Sequence, residues 1–418
     1  MGTTPVAHAD EARSAQWALS AYDATKSVWN HSKGKGITVA VIDSGVRASH
    51  IDLSGQVLAG KDFAFGGDGQ TDHSPEGHGT CIASVIAAHG HGSNGARGIM
   101  GLAPEAKILP IGVGDGVTGS LGSDYLAPAI HYAVDHHAQV INISLGSADP
   151  SAADEAAVAY AEQHNVVVVT SSGNSGTSDK EYPGSYPGVI KVGAVDQSGK
   201  LWSQSNTGGV TVAAPGVGIV CDNDGNDTQM GKGDGTSLAA AYVSAIAALF
   251  RSAHPELTQG QIVNYIIKTA DLPKGHTAPD PGFGYGIAWP YFDMKVDPGP
   301  AAGPLPQASA ASSGDSGSSS APVAAAPGGS SGGGGSTGLI LGGVGGLVVL
   351  GLVVALIARA RRRPSAAGMP PGGPAPAQPY QPPYQPPTGQ YQQQPYQSLP
   401  NYTYPPQQQG GHQEQPPR

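Results

Sequence analysis

A serine hydroxyl becomes an effective nucleophile only when a neighbouring base takes its proton. Three stretches of this chain offer the residue types for that chemistry. Val39-Ala40-Val41-Ile42-Asp43-Ser44-Gly45 ends a β-branched run on an Asp, and Gly77-His78-Gly79-Thr80 sets a His before an apolar stretch. Gly235-Thr236-Ser237-Leu238-Ala239-Ala240 sets a Ser where a Gly-rich loop enters an Ala-rich segment. His78 would be the base, because imidazole titrates near working pH. Asp43 would hold the imidazole tautomer and stabilise the imidazolium that forms. Ser237 at a helix N-terminus would sit where free N–H groups favour a developing oxyanion. In Ser171-Ser172-Gly173-Asn174-Ser175-Gly176, Asn174 lies beyond a strand-like run. Its amide can join the backbone N–H of Ser237 as an oxyanion donor, and losing one such donor costs on the order of 100- to 1000-fold in rate. Each stretch alone has a plainer reading: a structural His, a capping Asp, a turn Asn. The four together, in the order Asp, His, Asn, Ser, point to acyl transfer at a serine.

These residues need rigid supports, and the apolar pattern supplies them. Ile37–Ile42, Lys107–Val113, Val140–Leu145, Val166–Thr170 and Val189–Val195 are short β-branched runs of the kind buried on both faces of a sheet. Helices are expected at Gly79–Ala88, Tyr125–His136, Ala152–His164 and from Ser237 to about Ala253. Strands alternating with helices imply an α/β fold with a parallel sheet in a three-layer α/β/α arrangement.

The 418 residues are not of one kind. Globular composition extends over 37–295, one domain's worth of chain. A polar N-terminal extension, 10–36, precedes it. Ala7-His8-Ala9, closing residues 1–9, reads either as the stub of a signal peptide or as a chance Ala-x-Ala. Residues 296–337 form a Pro/Ala then Gly/Ser linker, expected to be flexible. Residues 338–358 are 21 positions without a charge, enough to span roughly 30 Å of bilayer as a helix. Arg359, Arg361, Arg362 and Arg363 follow, so this end is expected in the cytoplasm and the large domain outside, on the extracytoplasmic face. The tail over 359–418 is rich in Pro, Gln and Tyr. Net charge is -10, and the part before Arg359 holds 16 basic and 30 acidic residues, or -14. That balance excludes nucleic-acid binding, which needs basic stripes. Cys81 and Cys221 are too few for a zinc site or a disulfide framework, and read equally as one long bridge or two buried thiols.

The four motifs resemble those of the subtilisin family of serine proteases, whose order Asp, His, Ser is that family's own. The resemblance covers roughly residues 37–290 and implies a subtilisin-like domain with endopeptidase activity on polypeptide substrates and no cofactor. It carries Asp43, His78 and Ser237 as the triad and Asn174 as the oxyanion residue. It also implies that Ser144-Leu145-Gly146 pairs with the substrate backbone, and that Ser172-Gly173 walls the pocket for the residue before the cut. Gln16-Trp17, Ser32-Lys33-Gly34-Lys35-Gly36, the linker, the single span and its basic stop resemble the mycosins. Those are membrane-anchored subtilases of type VII secretion, which implies subunits of a secretion complex as partners. Ala241 stands where the family often has Pro, and mycosins often carry more cysteines. Two other functions stay open: a scaffold that stabilises a secretion complex, and a tethered degradative protease. No metal site is expected. His89 and His91 read as a solvated loop without a third ligand, His50 as a structural residue of the family, and Asp222–Asp227 lacks a calcium spacing.

Overall fold

The computed structural model describes residues 8–115, 124–223 and 226–306, with side chains from residue 12 onward. The expected membrane span at 338–358, the tail, residues 1–7 and most of the linker lie outside the described residues.

Helices α1 (His8–Ala15), α2 (Trp17–Ala21) and α3 (Trp29–His31) lead into strand β1 (Thr38–Asp43), with a π-helical turn at Ala24–Val28. Then come β2 (Lys61–Asp62), α4 (His78–Ala87), the hairpin strands β3 (His89–His91) and β4 (Arg97–Met100), and β5 (Lys107–Gly112). Next are α5 (Leu126–Asp135), β6 (Val140–Ile143), α6 (Ala152–Gln163), β7 (Val167–Ser171), β8 (Ile190–Val195) and β9 (Val212–Pro215). Strands β10 (Ile219–Asp222) and β11 (Met230–Gly233) form a second hairpin, followed by α7 (Thr236–Ala253) and α8 (Gln259–Thr269). The strands and helices expected between residues 37 and 253 are all present, with ends shifted by at most two residues.

Seven strands make one parallel sheet in the order β2-β5-β1-β6-β7-β8-β9. The two-residue period of a strand divides its side chains between two cores. Val39 and Val41 face one core with α4 and α7, whereas Ala40 and Ile42 face the other with α5 and α6. From β1 the chain first builds outward to β5 and later returns to place β6 on the other flank. The carboxyl end of β1 is therefore a topological switch point, where open α/β sheets form their clefts. Among the described residues α7 is the one helix long and apolar enough to cross a membrane, and it is buried in the domain core. Ala239, Ala240 and Ala241 are fully buried on it, and Ala241 continues the helix without a break.

The segment before β1 is polar in sequence yet tightly docked. Ala18, Leu19, Tyr22 and Val28 are buried, and Tyr22 packs edge-on against Tyr242 and Trp289 at 5.8 and 5.1 Å. Such aromatic pairs add about 0.5–1.5 kcal/mol each beyond area burial. The Gln16 amide exchanges hydrogen bonds with the Met100 backbone at 2.8 and 3.0 Å. The Arg13 guanidinium donates to the carbonyls of Gly98, Gly95 and Arg97 at 3.0, 3.1 and 3.4 Å.

The start of the expected flexible linker is likewise held. Asn264 and Gln261 of α8 donate to the carbonyls of Asp297, Pro298 and Gly299, and the Thr258 hydroxyl donates to Ala301. Linker composition does not reveal this, because the partners are backbone carbonyls that any residue supplies.

Candidate active site

Parallel strands end together, so the loops after β1, β6 and β7 converge on one edge. Asp43 closes β1 and is fully buried. Its Oδ1 accepts from the Ser44 N–H at 2.8 Å and from His78 Nδ1 at 2.7 Å. The Ser44 hydroxyl lies 3.1 Å from the same oxygen and donates to Asp72 Oδ1 at 2.7 Å. Asp72 also accepts from the N–H and hydroxyl of Thr80 at 2.8 and 2.6 Å, which ties α4 to the end of β1.

His78 opens α4. Gly77 before it has φ 69°, a left-handed conformation that favours glycine. Gly79 after it lies so close to β1 that a β-carbon there would fall 2.0 Å from the Gly45 carbonyl oxygen. Those two demands explain the Gly-His-Gly pattern. The imidazole is 31 % exposed while the Asp43 carboxylate is 0 % exposed, so one end of the pair reaches solvent and the other does not. Burial pulls the imidazole pKa down, but the charge and hydrogen bond of Asp43, helped by Asp72 and Glu76, outweigh it and hold His78 above its ordinary value.

Ser237 is the second residue of α7 and is nearly buried. Among the described residues its hydroxyl bonds to the Ser144 carbonyl at 3.1 Å rather than to His78. Such loosened contacts are common in unliganded sites and tighten when substrate arrives. Asn174 lies three residues beyond β7, and its Oδ1 accepts from the N–H and the hydroxyl of Thr236 at 3.0 and 2.8 Å. With the amide oxygen so held, the amide NH₂ makes no hydrogen bond among the described residues, and Asn174 lines the cleft. A cleft of about 590 Å³ is lined by His78, Asn174 and Ser237 together with Glu76 and both cysteines.

Of the expected substrate-contacting residues, Ser144, Leu145 and Gly146 follow the end of β6. The Ser144 hydroxyl accepts from Asn142 at 2.9 Å and donates to the Ser237 carbonyl at 3.3 Å. The side chains of Leu145 and Ser172 are buried, so these positions present main chain rather than side chain. Gly146 and Gly173 both lie against the Glu181 carboxylate. Thr236, Asp72 and Glu181 were not singled out by the sequence reading. Thr236 and Ser44 stand inside the quoted motifs, but Asp72 and Glu181 belong to no local pattern.

Cys81 and Cys221 are bonded, with Cα atoms 5.0 Å apart. The bridge ties the helix opened by His78 to the hairpin that precedes the Ser237 loop. Behind it, ligand-type atoms of the buried residues His50, Asp52 and Asp222 lie within 4.8 Å of one another. Burial pushes Asp222 up to about 7, with the His50 hydrogen bond pulling against it. The reading of His89 and His91 as a solvated loop is corrected. They form β3, His91 Nδ1 meets Asp52 at 2.6 Å, and His89 Nε2 meets the Ser54 carbonyl at 2.8 Å. Asp52 is 39 residues away in sequence, so no local pattern disclosed the pairing.

Comparison with known proteins agrees with this geometry. Residues 34–286 match the Subtilase family. Fervidolysin of Fervidobacterium pennivorans is 37% identical over 336 residues, covering 73% of this chain and 46% of its own. The thermophilic serine proteinase of Bacillus sp. (strain AK1) is 42% identical over 233 residues, covering 54% of this chain and 55% of its own. The chain thus spans about half the length of these relatives. Among solved structures, fervidolysin aligns with a TM-score of 0.60 and 36% identity over 66% of this chain and 44% of its own. MycP1 from the ESX-1 type VII secretion system aligns at 0.61 with 26% identity over 72% of this chain and 91% of its own.

Proposed function

The chain belongs to the subtilase family, and from that premise we propose that it is a serine endopeptidase acting through Asp43, His78, Ser237 and Asn174. The observation that carries this reading is the 2.7 Å bond from His78 to buried Asp43, made beside a cleft that Ser237 and Asn174 also line. In the first step the Ser237 hydroxyl turns from the Ser144 carbonyl to His78 Nε2. Its proton passes to that nitrogen as Oγ attacks the scissile carbonyl carbon. The oxygen of the tetrahedral intermediate takes hydrogen bonds from the Ser237 N–H and the Asn174 amide. Asp43 stabilises the imidazolium, which then protonates the departing amine as the C–N bond breaks. Water attacks the acyl-enzyme, His78 takes its proton, and Ser237 is regenerated. The free main chain after β6 would receive the substrate as an added strand.

The full chain acts, in this reading, on the extracytoplasmic face of a membrane. Support comes from the uncharged stretch at 338–358, the arginines after it, and the similarity to MycP1, described as an essential component of a type VII secretion system. Proteolysis associated with such a secretion complex is the function proposed.

A fluorophosphonate probe tests the catalytic part. The wild-type chain is expected to be labelled and Ser237→Ala is not. A folded wild type that resists the probe would refute the activated serine.

A further inference from the structure

Two of the segments expected to contact substrate meet over a carboxylate that the catalytic residues do not use. A β-carbon on Gly146 would lie 3.1 Å from Glu181 Oε2, and one on Gly173 would lie 2.4 Å from both Glu181 oxygens. The carboxylate therefore lies directly against the main chain that follows β6 and β7, and at Gly173, where φ is 104° and Asn206 also crowds in, a side chain would be strained. Its placement is built in. Ser147 and Tyr182 exchange backbone hydrogen bonds at 2.9 and 2.8 Å, which sets residue 181 beside residue 146. Asn206 is fully buried and donates to Glu181 Oε1 at 2.9 Å. The Asn206 amide oxygen in turn accepts from the N–H groups of Ser175 and Thr177 at 2.9 and 3.2 Å. The same loop carries Asn174, so the carboxylate and the oxyanion donor share one support.

Glu181 Oε1 is thereby occupied, while Oε2 makes no hydrogen bond among the described residues. Lys191 is the nearby cation, but its ammonium donates to the Gly208 carbonyl at 3.2 Å and is not ion-paired with Glu181. Burial pushes the Glu181 carboxyl above its ordinary range; Lys191 and Asn206 pull it down, and Asp179 pushes it further up. A carboxylate held under that desolvation gains from an added cation.

We propose that Glu181 floors the pocket receiving the substrate side chain just before the scissile bond, and that it selects lysine or arginine there. The proposal rests on the protease reading and deepens it from peptide bonds in general to those that follow a basic residue.

The test uses the full-length chain and peptide anilides that differ only in the residue before the cut. Wild type is expected to cleave after Lys or Arg in preference to Phe. Glu181→Gln should lower kcat/KM on the Lys substrate by about 10- to 100-fold, the weight of one charge-assisted hydrogen bond. The Lys-to-Phe ratio of kcat/KM should fall with it, a change that loss of folded protein, which scales both substrates alike, would not produce. A Lys-to-Phe ratio equal in wild type and Glu181→Gln would overturn the proposal. Binding separates this from failure of the protease reading. In a Ser237→Ala background, a product peptide ending in Lys should bind more tightly than one ending in Leu, and the added Glu181→Gln change should erase the difference. Equal binding of the two peptides with Glu181 present would overturn the assignment whether or not the chain cleaves anything.

Discussion

In the proposed mechanism His78 is the residue through which the buried acids of the site act on the reaction. Its raised pKa means that the imidazolium persists to higher pH than in a free peptide, and only the neutral ring can take the serine proton. The acid limb of kcat/KM should therefore have its midpoint above pH ~6.5, with activity falling as pH drops through it. Asp72→Asn removes one negative charge behind the pair and should move that limb toward lower pH; a pH profile of both chains reads the shift. At the oxyanion, Asn174→Ala should lose about 100- to 1000-fold in kcat with little change in KM. Thr236→Val, which strips the hydroxyl that fixes the Asn174 amide oxygen, should lose part of that factor in the same parameter. The proposed catalytic residues were legible as a set because the glycines, strand ends and helix starts around them lie next to them in sequence. Glu181 and Asn206 were not, since their meaning depends on β7, β8 and the following loop coming together. His91 shows the same limit: paired with Asp52 it is structural, but alone it resembles any loop histidine.

At the scale of elements, buried strands such as β1 and β6 announce themselves as unbroken β-branched runs. The segment before β1 does not, because its few apolar residues are scattered among polar ones and find their places only against α7 and β4. Helix α8 was not anticipated from the sequence, and the structure shows that Thr258 and Gln261 form a capping box at its start. The Cys81–Cys221 bridge joins α4 to β10 across 140 residues of sequence. Restricting so long a loop in the unfolded chain stabilises the fold by up to about 5 kcal/mol. The double change Cys81→Ser and Cys221→Ser should lower the melting temperature by many degrees. A reductant should do the same to the wild type and nothing further to the variant, as scanning calorimetry would show.

At the scale of the whole chain, composition marks the change from globular to linker sequence near residue 295, but the domain holds its chain further. Asn264, Gln261 and Thr258 all bond to carbonyls between residues 297 and 301. A chain ending at 306 should keep the stability of the full domain, whereas one ending at 295 should lose about 1–3 kcal/mol with those hydrogen bonds. Urea melts of the two would decide. Fractionation of cells expressing the 306-residue chain also tests the proposed anchor, since that chain should leave the membrane fraction that retains the full-length protein.

The clasp of Arg13 on the carbonyls of residues 95–98 has a consequence for how this part of the fold responds to its surroundings. A turn lined with carbonyl oxygens is commonly quieted by a dissolved ion, whose occupancy follows its concentration and which a chelator can strip. Here the positive charge is covalently part of the chain. It has no independent off-rate, and its local concentration is set by the tether rather than by the medium. The clasp thus does not depend on the concentration of any dissolved cation. The corresponding vulnerability is proteolytic: trimming the N-terminus past residue 13 would unlatch a loop some 80 residues away in sequence.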